Sequence, residues 1–182
     1  DAQESRGLGD VYKRQIYQAK QAITRNDRCY LVEGYIDVTS MHQSGVENVV
    51  ASSGTSLTTG QIRLIRRFTT NITVLYDGDS AGIHASIRGI DMLLAEGMNV
   101  KVLLLPDGDD PDSFARKHTA QEFRDYIESH QTDFIEFKTN LLLKGVTDPI
   151  KRSQAISSII KSVSVIPVSY THLRAHETPE HL

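Results

Sequence analysis

The sequence predicts an α/β fold, a parallel sheet of about four strands flanked by helices and followed by a small all-helical subdomain. The main observation is that short apolar segments alternate with longer helical segments, which is the pattern of βαβ units with right-handed crossovers. Residues 100–105 form the strongest apolar run, of the kind carried by a strand that is covered on both faces. After Pro111 only helical patterns occur, and these predict the helical subdomain.

The individual elements follow from strand propensity, helical periodicity and glycine stops. Gly45 and Gly97 stand in the helix-stop position after two of the helices. The predicted strands are 29–32, 46–51, 72–76 and 100–105, and the predicted helices are 35–43, 58–68, 80–96, 121–129, 133–143 and 149–165.

Composition limits the class of protein. Of the 182 residues, 39% are hydrophobic and 24% are charged, which is typical of a soluble globular domain. No apolar run is long enough for a bilayer and no signal-peptide pattern occurs, so we expect a cytoplasmic protein with no membrane partner. Cys29 is the only cysteine, which excludes an internal disulfide, and we expect it to be a buried strand residue. The net charge of −3 decides little about nucleic acids, because acidic and basic residues cluster separately.

The two ends differ from the rest of the chain. Residues 1–15 have no apolar period, and residues 168–182 contain His172, His176 and His181. Both segments resemble translated sequencing-adapter sequence, and we predict that they are non-native tails. Native disordered tails are one alternative. A histidine-rich metal site is the other, weakened because no other ligand type accompanies these histidines.

Acidic residues follow three of the predicted strands. The three sets are Glu33 with Asp37, Asp77 with Asp79, and the stretch from Asp107 to Asp112. In parallel α/β sheets the carboxyl ends of the strands meet at one edge, so the three sets should converge. Carboxylate oxygens are the ligands that Mg²⁺ prefers, and uncompensated carboxylates in one cleft would repel each other. The sequence therefore predicts a magnesium site. The alternative is that acids such as Asp79 or Asp112 only cap the helices that follow.

Four motifs in order resemble the TOPRIM core, a Rossmann-like fold, of bacterial DnaG-type primases. They are 33–37 (EGYID), 51–58 (ASSGTSLT), 76–82 (YDGDSAG) and 105–112 (LPDGDDPD). A glutamate with a DxD pair is shared with topoisomerases, recombination proteins and nucleases. The GTSLT and LPDGDDPDSF stretches are more particular to primases. The resemblance covers residues 16–167 and implies a DNA primase, a DNA-directed RNA polymerase that makes short RNA primers during DNA replication.

The resemblance also implies roles and partners. Glu33, Asp77 and Asp79 correspond to the catalytic metal-binding acids. Asp110, Asp112 and Asp37 correspond to acids that complete or support the metal site, with Mg²⁺ as the cofactor and Mn²⁺ as a substitute. The implied partners are a single-stranded DNA template, ribonucleoside triphosphates, the RNA primer, and the replicative helicase through a domain absent from this chain.

The resemblance divides the chain into segments. Residues 16–28 are expected to end a preceding basic subdomain, 29–118 to form the TOPRIM catalytic domain, and 119–167 to form the helical subdomain. Because the basic subdomain supplies much of the template contact in this family, we expect the chain to fold and bind divalent metal but to prime weakly or not at all alone.

Weaker candidates for nucleotide or DNA binding are Gly54, Thr55, Ser56, Arg63, Arg67 and His84. The first three follow a strand and open a helix, where free N–H groups can hold phosphate, although a plain turn is an equal alternative. Arg63 and Arg67 could contact a nucleic-acid backbone, or they could simply lie on a solvated helix face. His84 could face the substrate, or it could be an ordinary surface histidine. Tyr35 is expected to pack.

Two other functions share part of this pattern. One is a different TOPRIM enzyme, such as a nuclease or a topoisomerase, although a topoisomerase needs a tyrosine nucleophile on a separate domain. The other is a non-catalytic DNA-binding scaffold, which should have lost some of the acids. The primase-like stretches disfavour both.

Overall fold

A computed structural model of the chain describes residues 2–52, 57–76 and 80–167, without the side chains of residues 2–13, 80–86, 88 and 107. Strands and helices alternate in the order that the sequence predicts. The elements are α1 (Ala2–Asn26), β1 (Cys29–Val32), α2 (Tyr35–Gln43), β2 (Val49–Ala51), α3 (Thr59–Arg66), β3 (Asn71–Tyr76), α4 (Ser80–Ala95), β4 (Asn99–Leu104), a 3₁₀ turn (Pro106–Gly108), α5 (Pro111–Lys117), α6 (Ala120–Ser129), β5 (Thr132–Asp133), α7 (Phe134–Leu143) and α8 (Pro149–Ser164).

The strands form one sheet in the order β2-β1-β3-β4-β5. The first four strands are parallel, which confirms the predicted α/β class, and β5 runs antiparallel to β4 at the edge. Sequence analysis missed β5, because two residues are too few for an alternating pattern. The apolar run predicted at 100–105 contains one exposed residue, Lys101, which pairs in register with Asp133 of the edge strand β5.

Both faces of the sheet are covered by helices, because successive strand residues point to opposite sides. The buried residues of one layer include Ile23, Leu31, Ile62, Val74, Ile90, Val102 and Phe134, from the sheet and from α1, α3, α4 and α7. Those of the other layer include Val32, Met41, Leu75, Leu103, Phe114, Phe123 and Ile127, from the sheet and from α2, α5 and α6. Cys29 is fully buried in the first layer, as predicted.

The helices after residue 119 share this core. Phe123 and Ile127 of α6 are buried with Leu75 and Leu103 of the sheet, and Phe134 at the start of α7 is buried in the opposite layer. The predicted domain boundary between residues 118 and 119 remains a prediction. The contacts themselves join the first half of the predicted helical subdomain to the sheet.

Two predicted helix stops are confirmed by backbone geometry. Gly45 and Gly97 have φ angles of +80° and +73°, which favour glycine after a helix. The backbone N–H of Val46 donates to the Met41 carbonyl and closes α2, so the second strand begins at Val49 rather than at the predicted residue 46.

Helix α1 crosses the boundary predicted between the non-native tail and the segment 16–28. It begins at Ala2, inside the segment predicted to be a non-native tail. Gln15, also in that segment, is buried, and its Oε1 accepts a hydrogen bond of 3.0 Å from the backbone N–H of Ala51. This side chain therefore satisfies a donor on edge strand β2. Among the described helices, none combines the length and apolar character needed to cross a membrane.

Candidate active site at the carboxyl edge of the sheet

Three neighbouring strands end at the same level. In the register of the sheet Leu31 of β1 pairs with Val74 of β3, and Tyr76 at the end of β3 pairs with Leu104 at the end of β4. The backbone N–H of Leu105 still donates to the Tyr76 carbonyl, at 3.3 Å. The first and third acidic sets follow the ends of β1 and β4 at this edge.

The first acidic set surrounds the start of α2. Glu33 directly follows β1 and is exposed, so its carboxylate faces solvent at the edge. Gly34 caps α2, and its backbone N–H donates to Asp37 Oδ2 at 3.0 Å. Asp37, in the first turn of the helix, is thereby held beside the end of β1.

The third acidic set surrounds the start of α5. Asp110 is the N-cap of this helix, and its Oδ1 accepts a 2.6 Å hydrogen bond from the Ser113 backbone N–H. The alternative expectation that Asp112 is the cap is therefore wrong. Asp109, the residue before the cap, is buried, and its Oδ1 lies 2.6 Å from Lys117 Nζ. The Lys117 ammonium lowers the pKa of Asp109.

Asp112 links α5 to α2. Its Oδ1 accepts a 2.6 Å hydrogen bond from the Ser40 hydroxyl on α2, and its Oδ2 lies 2.7 Å from Arg116 Nη2. Both carboxylate oxygens therefore have protein donors. Sequence reasoning missed these two partners. Arg116 could have been found from its spacing of four residues on one helix, whereas Ser40 is distant in sequence and gave no signal.

Asp37 of the first acidic set feels the charges of the third set. Burial raises the pKa of the Asp37 carboxyl, and the negative charges of Asp110 and Asp112 raise it further. Hydrogen bonds from the backbone N–H groups of Gly34 and Asp112 oppose this effect in part. Asp37 is thus close enough to Asp110 and Asp112 for their charges to act on its carboxyl group.

The second acidic set, Asp77 with Asp79, lies outside the described residues. So do Gly54, Thr55 and Ser56 and the side chain of His84. Their roles, and the meeting of Glu33 with Asp77 and Asp79, stay predictions. Tyr76, the last described residue before Asp77, lies between β1 and β4 at the edge. Within the described part of the chain, no three Asp, Glu, His or Cys side chains come close enough to hold one metal ion.

The donor chemistry nevertheless fits a hard cation. The groups at the edge are carboxylates, and the repulsion felt by Asp37 is what a bound divalent cation would relieve. Two of these acids have basic partners, Asp112 with Arg116 and Asp109 with Lys117. Glu33, Asp37 and Asp110 are therefore the described residues with oxygens suited to such an ion.

The remaining predicted contacts lie elsewhere. Arg63 is exposed but binds Glu96 through two hydrogen bonds, of 2.9 and 3.1 Å. Arg67 is exposed at the end of α3. The expectation that Tyr35 packs is wrong, because Tyr35 is 62% exposed and its neighbour Ile36 is 67% exposed, at the first turn of α2 beside Asp37.

The sequence of the chain is similar to a known protein family and to curated relatives. The Toprim-like family model matches residues 30–115. The chain is 37% identical over 153 residues to the DNA primase of Clostridium acetobutylicum, covering 83% of this chain and 25% of that protein. The chain therefore spans about a quarter of the length of this curated relative.

Solved structures show the same fold. The DNA primase domain from Pseudomonas aeruginosa superimposes with a TM-score of 0.74 at 27% identity, over 89% of this chain and 53% of that one. A DnaG primase catalytic domain bound to single-stranded DNA gives a TM-score of 0.72 at 31% identity, over 89% and 54%.

Proposed function

The chain belongs to the bacterial DnaG-type primase family and carries its Toprim core, and on that premise we propose that it serves as the catalytic core of a DNA primase. In this proposal it joins ribonucleoside triphosphates into short RNA primers on a single-stranded DNA template during replication. The solved relative that holds single-stranded DNA supports the choice of template.

The observation that carries the proposal is the convergence of Asp37 with Asp110 and Asp112 at the carboxyl edge. Asp110 caps α5 and Asp112 joins α5 to α2, but neither role requires a third carboxylate beside them, and the repulsion at Asp37 costs folding free energy. Neighbouring carboxylates of this kind can hold a divalent cation next to the phosphate groups of a nucleotide.

We propose Mg²⁺, with Mn²⁺ as a substitute, as the cofactor, held by Glu33, Asp37 and Asp110 together with Asp77 and Asp79. Bound Mg²⁺ would supply electrostatic stabilisation to the phosphate oxygens of the nucleotide. In this proposal the protein side chains hold the metal ion, and backbone N–H groups orient the carboxylates that bind it. Gly34 fixes Asp37 through its backbone N–H, and Ser113 fixes Asp110 in the same way.

Asp112 contributes to the proposed site by fixing the positions of α2 and α5. Its backbone N–H donates to Asp37, while its carboxylate joins Ser40 of α2 to Arg116 of α5. This arrangement sets the spacing between the helices that carry Asp37 and Asp110. Positioning of reacting groups accounts for much of the catalysis in nucleotidyl and phosphoryl transfer, so helix spacing matters directly.

The first experiment measures Mn²⁺ binding to this chain by electron paramagnetic resonance. Glu33→Gln is nearly isosteric and exposed, so we expect it to leave the fold intact and to weaken Mn²⁺ binding by about tenfold or more. Glu47→Gln, an exposed glutamate that precedes β2, is the matched control and should bind as the wild type does. A wild-type chain that binds no Mn²⁺ would contradict the proposed metal site.

The second experiment tests activity in an intact protein, made by placing residues 16–167 into the matching segment of the Clostridium acetobutylicum primase. We expect Asp77→Ala to abolish primer synthesis without unfolding the protein, and Asp125→Ala, on the exposed face of α6, to leave it intact. The 182-residue chain alone should yield little or no primer. Normal primer yield from Asp77→Ala would disprove its assignment, and Mg²⁺-dependent DNA cleavage without nucleotide incorporation would favour a nuclease.

A further inference from the structure

A shallow groove lies between α1 and the end of α3, outside the site described above. Its volume is about 420 Å³, and it is lined by Phe68 and by four residues of α1, namely Lys20, Gln21, Thr24 and Arg25. We call it the Lys20 groove. None of its residues belongs to the acidic sets at the carboxyl edge, so the proposed catalytic site leaves its composition unexplained.

The two sides of the Lys20 groove are fixed relative to each other. Asp27, just after α1, accepts a hydrogen bond of 2.8 Å from the Thr69 hydroxyl and one of 3.0 Å from the Asn71 side-chain amide. Ile23 of α1 and Ile65 of α3 are fully buried in the same core layer. The groove is therefore built into the fold, and a ligand would find it already formed.

The charge of the Lys20 groove is positive. The second half of α1 contains no acidic residue, and the one ion pair of Arg25, with Glu47, is long at 3.7 Å. Arg67, the residue before Phe68, is exposed. Among the described residues, neither Lys20 nor Arg67 has an acidic partner. Such a groove is electrostatically complementary to a polyanion.

An exposed aromatic ring lies beside these cations. Tyr17, one turn before Lys20 on α1, is 70% exposed, and Lys20 Nζ lies 3.8 Å from the centroid of its ring. The ammonium occupies one face of the ring, and the exposure leaves the ring accessible to a second flat group. Cations that bind a backbone, combined with rings on which bases stack, are the two requirements of a surface for single-stranded nucleic acid.

Helix α1 connects the Lys20 groove to the carboxyl edge of the sheet. Gln15 binds the backbone of Ala51, the last residue of β2, and so places the 15 end of the exposed row at that edge. Thr24, in the groove, lies about 14 Å further along the helix axis at the helical rise per residue. A strand bound in the groove and along Tyr17 therefore runs towards the edge at which nucleotides are proposed to be joined.

We propose that the Lys20 groove and the ring of Tyr17 bind single-stranded DNA, with phosphates on Lys20 and Arg25 and a base stacked on Tyr17. This inference rests on the proposed function and deepens it, because the bound strand would be the template. The exposed ring favours a nucleic acid over an acidic protein surface, which has no bases to stack.

The test measures binding of a fluorescein-labelled oligodeoxythymidine, about twelve nucleotides long, to the full chain by fluorescence anisotropy in EDTA. We expect the double variant Lys20→Gln with Arg25→Gln to bind more weakly. The slope of log affinity against log salt concentration should fall in magnitude by about 1.4, the value for two phosphate contacts on a single strand. The matched control, Lys151→Gln with Arg152→Gln, removes the same two kinds of charge from exposed positions on α8 and should bind as the wild type does.

Stacking on Tyr17 predicts a different signature. Tyr17→Ala should raise the dissociation constant about fivefold or more without changing the salt slope, whereas Tyr17→Phe keeps the ring and should bind as the wild type does. Wild-type affinity in Tyr17→Ala or in the double variant overturns the proposal, and so does an equal loss in the α8 control. A groove that takes an acidic protein partner would leave oligonucleotide binding unchanged in every variant.

Photo-cross-linking locates the bound strand directly. An oligonucleotide that carries 5-iododeoxyuridine should cross-link to Tyr17 or Phe68, and cross-links confined to residues outside α1 and Phe68 would overturn the proposal. Because oligonucleotide binding is measured in EDTA, it does not depend on the metal site. Mn²⁺ binding without binding at the groove would contradict this inference alone, and binding at the groove without Mn²⁺ binding would contradict the proposed function alone.

Discussion

Asp37 is the residue at which folding and the proposed function oppose each other. Its side chain accepts hydrogen bonds from two backbone N–H groups, yet burial and the charges of Asp110 and Asp112 raise its pKa. The folded state therefore binds a proton at Asp37 more tightly than the unfolded chain does. The contribution of Asp37 to the free energy of unfolding is therefore fully present below the unfolded pKa of about 3.9. It is lost as the pH rises through the folded pKa.

We predict that Asp37→Asn stabilises the metal-free protein at neutral pH. The amide keeps an oxygen for the Gly34 N–H but carries no charge, so the free energy of unfolding should exceed the wild-type value by about 0.5–1 kcal/mol at pH 7. The difference between the two proteins should shrink as the pH falls below about 4. Urea unfolding in EDTA across this pH range measures it, and a difference independent of pH would contradict the assignment.

At the residue scale the sequence indicated which acids to propose for the site but not how each is held. Glu33, Asp37 and Asp110 could be singled out because each lies just beyond a predicted strand. The engagement of Asp112 by Ser40 could not be predicted, because it depends on the packing of α2 against α5. The exposure of Tyr35 was missed for a similar reason, since an aromatic residue beside an apolar strand normally packs.

At the scale of elements, Asp110 has two separable roles. It caps α5, and it lies among the acids proposed to hold metal. Serine is as good a cap as aspartate but has no carboxylate, so Asp110→Ser should keep the stability of the helix and lose Mn²⁺ affinity. Asp110→Ala should lose both, with a decrease of about 1 kcal/mol in the free energy of unfolding.

Thermal unfolding and Mn²⁺ titration of the two Asp110 variants separate these roles. Equal Mn²⁺ affinity in Asp110→Ser and the wild type would remove Asp110 from the proposed site. Equal stability in the Ser and Ala variants would show instead that the cap contributes nothing measurable to α5.

Elements with strong local signals were predictable from the sequence. Helix α2 has the predicted bounds and β1 likewise, because a glycine or a sharp change of pattern marks their ends. β5 was not predictable, because its two residues become a strand only by pairing with β4. The predicted strand at 46–51 was too long, since buried Val46 belongs to the turn that closes α2 and looks like strand sequence.

At the scale of the whole molecule, the helices beyond residue 118 complete the core. Phe123 of α6 fills the layer under Leu75 and Leu103, and Phe134 of α7 fills the opposite layer. A chain that ends after residue 118 would expose both layers. We predict that this truncated chain does not fold, whereas the full chain unfolds in one cooperative transition.

Circular dichroism and the dispersion of amide NMR signals measure the first part of this prediction, and coincident urea transitions by two probes measure the second. Phe123→Ala in the full chain is a milder version and should cost about 3–5 kcal/mol. A folded 1–118 chain would instead establish the predicted boundary at residue 118 as a true domain boundary.

The two outer strands of the sheet are blocked by different means. On one side α1 lies along β2 and Gln15 occupies the outward N–H of Ala51, and on the other side β5 is only two residues long and ends in a charged residue, Asp133. Open strand edges are templates for pairing with other molecules. A chain cleaved by a protease within α1 would expose the edge of β2 alone. Two such molecules would pair through this edge into a dimer and go no further, because β5 offers no second open edge.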